Sequence, residues 1–309
     1  HSWQFLIHDS ELKKYNNYPI TFLENSINAE MLIVDKSKDK YLLSNVCTHR
    51  GSILCNKKNS NSFISCPYHG RKFNLNGTVK SAFGFEKNKN FPSKADHLNK
   101  YKRLDFKNFI FGAINPKIDI ATILEDIENR LDWYPFHKLK HSKKNSHTFI
   151  LNSHWALYCE NYLEGLHVPF VHKGLNKEIS LGAYKTELLE NGVLQYTKGK
   201  NNHKSIYAYY YWIFPNMMFN FYSWGLSINI IEPIEKEKTR IRFLSYVIDG
   251  EKQPNNQSAS IDTVELEDQK IVKSVQRGMK SYSYNSGRYS TEYEKGVHHF
   301  HRLIAKYLK

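Results

Sequence analysis

The chain has 309 residues, of which 40% are apolar, 14% aromatic and 24% charged, and its formal net charge is +14. That length suffices for one large domain or two medium ones with a sizeable core, and the composition excludes a disordered tail, a collagen-like repeat and a disulfide-stapled mini-protein. Only nine of the 44 basic residues are arginine, the lysines scatter along the chain, and no zinc-finger, homeodomain or RNP signature accompanies them, so nucleic acid is not expected as a partner.

The longest apolar stretches, such as Phe109–Ile114, fall far short of the ~20 residues of a membrane-spanning helix, so no membrane partner is expected either. The four cysteines, Cys47, Cys55, Cys66 and Cys159, are too few for a disulfide framework in a chain this long. A reducing compartment follows, and cytoplasmic is the expected location.

Taken in chain order, the first third reads as short strands. Leu32-Ile33-Val34 and Tyr41-Leu42-Leu43 are apolar runs of strand length between charged turns. Asn76-Gly77, between Phe73-Asn74-Leu75 and Thr78-Val79, predicts a tight hairpin with positive φ at both central residues. From about residue 117 the pattern changes. Helical spacing covers 118–133 and 155–167; residues 194–247, rich in aromatic and β-branched side chains, predict several strands; helices are expected again over 261–279 and 296–308. Strands enclosed by helices point to an α+β domain.

Cys47-Thr48-His49 and Cys66-Pro67-Tyr68-His69 form two matching Cys/His loops with sixteen residues between them. Two soft thiolates and two neutral imidazoles suit a [2Fe–2S] cluster held unequally, sulfurs on one iron and nitrogens on the other. The competing reading is a structural Cys2His2 zinc, though zinc fingers usually keep the two types in separate pairs. Each loop here has one of each in the same order and runs on into glycine, Gly51 and Gly70. Cys55 and Cys159 are not needed for either site and are expected to be small buried hydrophobes.

A second constellation lies in Glu160–His172. A continuous helix would put Glu160, Glu164 and His167 on one face, and Pro169 would end or kink it so that His172 returns towards His167. The two histidines can chelate one metal. Helical periodicity nominates a third ligand: Val264, Asp268, Ile271, Val272, Val275 and Met279 form one stripe, apolar except for Asp268. A carboxylate on a core-facing stripe is costly unless a cation or good hydrogen bonds compensate it, so Asp268 is either a metal ligand or paired with a backbone cap or an arginine. Glu267 falls on the polar side with Lys270 and Ser274. His167, His172 and Asp268 would make a 2-His-1-carboxylate facial triad, which leaves open positions on an iron(II) for dioxygen.

With both constellations present, the chain resembles Rieske non-haem iron oxygenases, the large (alpha) terminal subunits of ring-hydroxylating and demethylating systems. The resemblance rests on Cys47–Gly51, Cys66–Gly70, Glu160–His172, and Glu267-Asp268 followed by Ser274-Val275-Gln276-Arg277-Gly278. It implies an N-terminal all-β Rieske domain over 1–116 and an α+β helix-grip (START-like) catalytic domain over 117–309, in a homotrimer. It also implies one [2Fe–2S] cluster on Cys47, His49, Cys66 and His69, and one mononuclear iron on His167, His172 and Asp268. Glu164 would link electron transfer between His167 and a Rieske histidine of the adjacent subunit, with Asn161 near the iron.

Three residues depart from common family patterns. Tyr68 stands where respiratory-type Rieske proteins carry a disulfide partner, Arg71 where many members have tryptophan, and Glu164 where ring dioxygenases more often have aspartate. The glutamate looks more like the choline and carnitine oxygenase branch.

The function implied is an oxidoreductase that uses O2 and electrons from NAD(P)H to mono- or dioxygenate a small aromatic or other organic substrate, as in aromatic hydrocarbon catabolism. The alternative is an oxidative demethylase or monooxygenase of a quaternary ammonium compound; the non-enzymatic alternative is a Rieske electron carrier with a ligand-binding domain. No nicotinamide or flavin fingerprint is present, so a separate reductase, with or without a ferredoxin, is expected to deliver electrons. Lys57, Lys58, Arg71 and Lys72 flank the cluster loops and are expected to attract its acidic surface. The aromatic-dense stretch from Tyr207 to Trp224 is expected mainly to pack the core, and His298, His299 and His301 to be surface or packing residues.

Overall fold

The computed structural model describes residues 1–12, 14–200, 206–251 and 261–309. The chain divides into two compact units, His1–Ile118 and Asp119–Lys309.

Among its described residues the first unit has nine strands: β1 (Gln4–His8), β2 (Asn17–Phe22), β3 (Ala29–Lys36), β4 (Asp39–Ser44), β5 (Ile64–Ser65), β6 (Lys72–Phe73), β7 (Val79–Ser81), β8 (Lys100–Phe106) and β9 (Phe109–Ala113). Six form an antiparallel sheet in the order β1-β9-β8-β4-β3-β2, and β5-β6-β7 form a smaller one. The β3 apolar run is unbroken because both of its faces are covered. Leu32 and Val34 join the core that holds Cys47 and Cys66, whereas Met31 and Ile33 join the core on the other side.

The Asn76-Gly77 hairpin forms, but only Gly77 has positive φ (86°). The Asn76 side chain instead accepts from the backbone N–H and the hydroxyl of Thr78. An Asx-type contact thus replaces the second left-handed residue that the dipeptide predicts.

The second unit contains β10 (Leu139–His141), β11 (His147–Leu151), β12 (Lys185–Leu189), β13 (Gly192–Lys198), β14 (Ile206–Ile213), β15 (Met217–Tyr222), β16 (Gly225–Glu235) and β17 (Lys238–Ile248). They make one antiparallel sheet ordered β10-β17-β16-β15-β14-β13-β12, with β11 also on β17. Among the described residues, six α-helices accompany it: α1 (Ala121–Arg130), α2 (Trp155–Tyr162), α3 (Val168–Val171), α4 (Leu175–Glu178), α5 (Ile261–Met279) and α6 (Lys295–Leu308). Residues from both faces of the sheet are anchored to helices: the Tyr211 hydroxyl donates to Asp126 of α1, while Trp212 packs edge-on against Phe300 of α6.

Two helical expectations change. The continuous helix over 155–167 stops at Tyr162, and Leu163 caps it. Pro169 lies in the first turn of the short α3 and so helps start a helix instead of ending one, a position where its missing N–H costs nothing. Glu160 therefore leaves the Glu164–His167 face and pairs with His301 at 2.9 Å.

On α5 the buried positions are Glu265, Asp268, Gln269 and Val272, whereas Ile271, Val275 and Met279 are exposed. Only the N-terminal part of the predicted stripe meets the rest of the chain, and Leu266 adds to the apolar surface left outside.

Candidate metal centres

In the first unit the two Cys/His loops repeat one backbone pattern. The N–H of Gly51 donates to the C=O of Cys47 (3.0 Å) and that of Gly70 to Cys66 (3.1 Å). The N–H of Cys47 reaches Ser52 O and that of Cys66 reaches Arg71 O, both at 2.8 Å. Gly51 and Gly70 have φ of 71° and 70°, a left-handed conformation that a side chain would strain. Two turns of the same shape thus present Cys47 and Cys66 inwards, 3% exposed each, and bring the His49 and His69 rings to 4.8 Å. His69 is exposed and His49 half-buried.

Burial works against the Cys66 thiolate, but the N–H groups of Tyr68 and His69 and the Ser52 hydroxyl outweigh it and lower its pKa. This donor set suits a cluster with a sheltered sulfur end and an accessible imidazole end. It suits a single zinc less well. The four residues do not gather into a single-ion cage, which among the described residues only His167, His172 and Asp268 form. Cys55 and Cys159 are buried free cysteines, the latter with its thiol pushed up by burial.

Arg71 is not the surface cation expected from sequence. It is 3% exposed, with its guanidinium carbon 4.8 Å from the centre of the Phe85 ring and 5.2 Å from that of Phe91. One nitrogen donates to Thr48 Oγ1 (3.1 Å) and approaches Asp96 Oδ1 (3.4 Å), while Nε is buried without a hydrogen-bond partner. Lys57, Lys58 and Lys72 remain exposed.

In the second unit, the turn after α2 positions the next ligand set. Glu164 accepts from the backbone N–H groups of Leu166 and His167 and from His167 Nδ1. Gly165 permits this tight turn, since a Cβ there would meet the Tyr184 ring at 3.0 Å. His172, 1% exposed, returns at the end of α3, so that its Nε2 lies 3.1 Å from His167 Nε2. Asp268 Oδ1 completes the cage, 3.0 Å from His172 Nε2 and 3.6 Å from His167 Nε2. Asn161 Nδ2 donates to the same oxygen at 2.6 Å.

Glu267, read from sequence as belonging to the polar side, accepts from His172 Nδ1 at 2.8 Å. Adjacent helix positions point about 100° apart, but a glutamate is long enough to reach round to the ring. Both histidines therefore spend Nδ1 on a carboxylate and turn Nε2 towards the centre, the arrangement that fixes tautomer and orientation in metal-ligating histidines. Burial lowers the His172 pKa, but Asp268 and Glu267 outweigh it and raise it. Two converging imidazole nitrogens and a carboxylate oxygen invite a cation, and the set fits a 2-His-1-carboxylate iron.

Beside this cage lies a cavity of about 310 Å³. Tyr210, Asn220, Tyr222, Ser227 and Asn229 line it from one face of the sheet, in the register set by the pairs Tyr210–Asn220 and Asn220–Ser227. Tyr207 joins them because the β13–β14 ladder skips it: Thr197 pairs with Ala208 and Lys198 with Ile206. Such a bulge re-aims a side chain. Tyr222 stacks on Trp224 at 5.1 Å and meets Tyr210 edge-on at 6.0 Å. The aromatic stretch thus divides. Tyr211, Trp212, Phe214, Phe219 and Phe221 pack the core as expected, whereas Tyr207, Tyr210, Tyr222 and Trp224 face the cavity. His299 is half-buried and bonds to Leu189 O, whereas His301 is an exposed residue that pairs with Glu160.

A β unit with a Cys2His2 loop pair and an α+β unit with a histidine–carboxylate cage define a two-centre iron oxygenase. Residues 2–92 match the Rieske [2Fe-2S] domain and residues 132–309 the ring-hydroxylating alpha subunit catalytic domain, so the chain belongs to the Rieske ring-hydroxylating oxygenase family. It is an oxidoreductase that takes a Rieske cluster and a mononuclear iron as cofactors, and the family draws electrons through reductase or ferredoxin partners.

Its relatives include the chloroplastic choline monooxygenase of Amaranthus tricolor, 31% identical over 97% of this chain and 71% of that protein. They also include the carnitine monooxygenase oxygenase subunit of Escherichia coli (strain K12), 29% identical over 100% of this chain and 88% of that protein. Among solved structures, a quaternary ammonium Rieske monooxygenase superposes with a TM-score of 0.80 at 24% identity, over 100% of this chain and 89% of that one. Naphthalene 1,2-dioxygenase superposes at 0.71 and 16% identity, over 98% and 86%, and so shares the fold. These relatives do not support aromatic hydrocarbon catabolism or dioxygenation specifically for this chain. Among the described residues, no helix is long and apolar enough to cross a membrane.

Proposed function

We propose that this chain is the oxygenase component of a quaternary ammonium monooxygenase. The observation that carries this reading is the aromatic cavity beside the His167–His172–Asp268 cage. Faces of Tyr207, Tyr210, Tyr222 and Trp224 can hold an alkylammonium head by cation–π attraction, worth about 0.5–2 kcal/mol per contact. The choline and carnitine monooxygenases among the relatives favour the same substrate class.

In this reading residues 1–116 form the cluster domain, with Cys47, His49, Cys66 and His69 as ligands, and 117–309 the catalytic domain. His167, His172 and Asp268 hold the iron, which supplies dioxygen activation when bound. Glu164 and Glu267 lock the two imidazoles, Asn161 orients the Asp268 carboxylate, and the aromatic wall holds the substrate over the open side of the cage. Glu164 also links His167 to the partner subunit's His69 in a homotrimer; the apolar surface of Leu266, Ile271, Val275 and Met279 supports an assembled state. A separate reductase supplies electrons, and cytoplasmic remains the proposed location.

Metal analysis of the purified protein is expected to give three irons per chain; two would indicate an electron carrier with a ligand-binding domain. With a reductase and NAD(P)H, quaternary ammonium compounds are expected to drive O2 consumption coupled to product. Turnover of indole or naphthalene with no response to any quaternary amine would overturn the reading.

Arg71 carries a further expectation. Reduction adds one negative charge to the cluster, so a buried guanidinium beside its loops favours the reduced state. Replacing Arg71 by methionine is expected to lower the midpoint potential by about 50 mV, close to a tenfold change in a one-electron equilibrium. Redox titration of the visible spectrum measures it, and an unchanged potential would show that Asp96 already neutralises the charge.

A further inference from the structure

The sheet face that lines the cavity carries three buried polar side chains beside its tyrosines. Asn220 and Tyr222 lie two residues apart on β15, and Ser227 and Asn229 two apart on β16. Asn220 pairs with Ser227, so all four project from one face. Asn220, Ser227 and Asn229 are 4%, 3% and 4% exposed. Trp212 and Met218, further along the same face, are apolar and fully buried, the usual filling beneath a helix. Neutral polar groups in this place cost stability unless something bonds them. The Tyr162 hydroxyl donates to Asn220 Oδ1 at 2.7 Å, and the Ser227 hydroxyl donates to Asn229 Oδ1 at 3.0 Å. Both bonds use the amide oxygens. Among the described residues the N–H groups of the two amides have no acceptor. Tyr162 follows Asn161 on α2, and Asn161 holds Asp268, so the polar patch is tied to the cage through one helix.

We propose that Asn220, Ser227 and Asn229 form a subsite for a hydroxyl group of the substrate. The ammonium compound that this cavity takes therefore carries a hydroxyl close to its charged head. The inference rests on the quaternary ammonium reading above and narrows it. Along β15 the polar patch begins two residues from Tyr222, roughly 7 Å at strand spacing, so a short substrate can touch the aromatic end and the polar end together. A hydroxyl both donates and accepts. The amide N–H groups of Asn220 and Asn229 can donate to its oxygen, and Ser227 Oγ, whose own proton goes to Asn229, can accept its proton. An analogue with hydrogen in place of that hydroxyl offers neither and leaves buried donors without a partner, the situation in which a site discriminates most strongly. The three residues act on binding and orientation and take no part in proton or electron transfer.

Two pairs of probes differ only by the hydroxyl: choline against ethyltrimethylammonium, and L-carnitine against γ-butyrobetaine. Calorimetric titration of the metal-loaded protein measures both pairs, and the pair that binds more tightly decides. Within it the hydroxylated member is expected to bind at least about fivefold more tightly, the scale of one or two neutral hydrogen bonds. Ser227→Ala and Asn229→Ala are each expected to cut that ratio about threefold or more, with affinity for the deoxy member changed less than about twofold. A merely structural defect would weaken both members alike and leave the ratio as it was. The visible spectrum of the cluster checks folding, and Ser227→Ala, the smaller change, keeps the test open if Asn229→Ala does not fold.

A smaller ratio in the unaltered protein would overturn the subsite while leaving the quaternary ammonium reading intact. So would folded variants that keep the ratio. Failure of all four ammonium compounds to bind would overturn both.

Discussion

Asp268→Ala is expected to abolish turnover and to lower the iron content from three atoms per chain to two, with the visible spectrum of the cluster preserved. The two imidazole nitrogens 3.1 Å apart lose the one carboxylate oxygen that both of them approach, and Asn161 loses its acceptor. Two neutral ligands hold a divalent cation far less well than a set that includes a carboxylate. Because the Cys/His loops belong to the other compact unit, their backbone turns do not depend on Asp268. Elemental analysis together with the visible spectrum separates this outcome from global unfolding. Retained turnover would move the search for the third ligand to Glu267 or Glu265.

Glu164→Gln is expected to leave both metal sites loaded and yet to slow electron arrival at the mononuclear centre by about ten- to a hundredfold, the range found for residues that support a metal ligand. The amide can still receive the backbone N–H groups of Leu166 and His167 through its oxygen, so the turn should survive. What it removes is the negative charge beside His167 Nδ1. Single-turnover reoxidation of the reduced cluster, followed optically with substrate and O2, measures the effect directly. An unchanged reoxidation rate would refute the linking role of this carboxylate, whatever happens to steady-state activity.

Much of the cage was legible in the residues because its members are chemically out of place. Asp268 interrupts an apolar helical stripe, and Cys47, His49, Cys66 and His69 repeat an order that few other sites require. The stripe argument reached the carboxylate that both imidazoles approach, with a partly wrong geometry. Val275 and Met279 are exposed, and the buried face runs instead through Glu265, Asp268, Gln269 and Val272. Periodicity tells which residues share a face, but not how much of that face finds a neighbour within one chain.

Other features depended on tertiary placement. Glu267 reaches His172 through side-chain length, which a helical wheel does not represent. Arg71 reads as surface charge until Phe85, Phe91 and Asp96, brought in from fourteen or more residues away, enclose it. The helix expected from Trp155 to His167 stops early because Glu164 turns back to bond the next backbone N–H groups, a local competition that Glu-x-x-His spacing does not announce. The cavity wall was the least visible element, since strand aromatics of one composition are shared between the core and an open space according to register, position along the strand and one bulge.

The skipped residue at Tyr207 has a consequence for how such a cavity diversifies. Side chains alternate across a sheet, so gaining or losing one residue near the start of β14 exchanges what that edge presents to the cavity while the distant half of the strand keeps its partners. A one-residue change in length at this strand end would thus alter what faces the substrate while leaving in place the cage residues, which lie on or beside α2, α3 and α5.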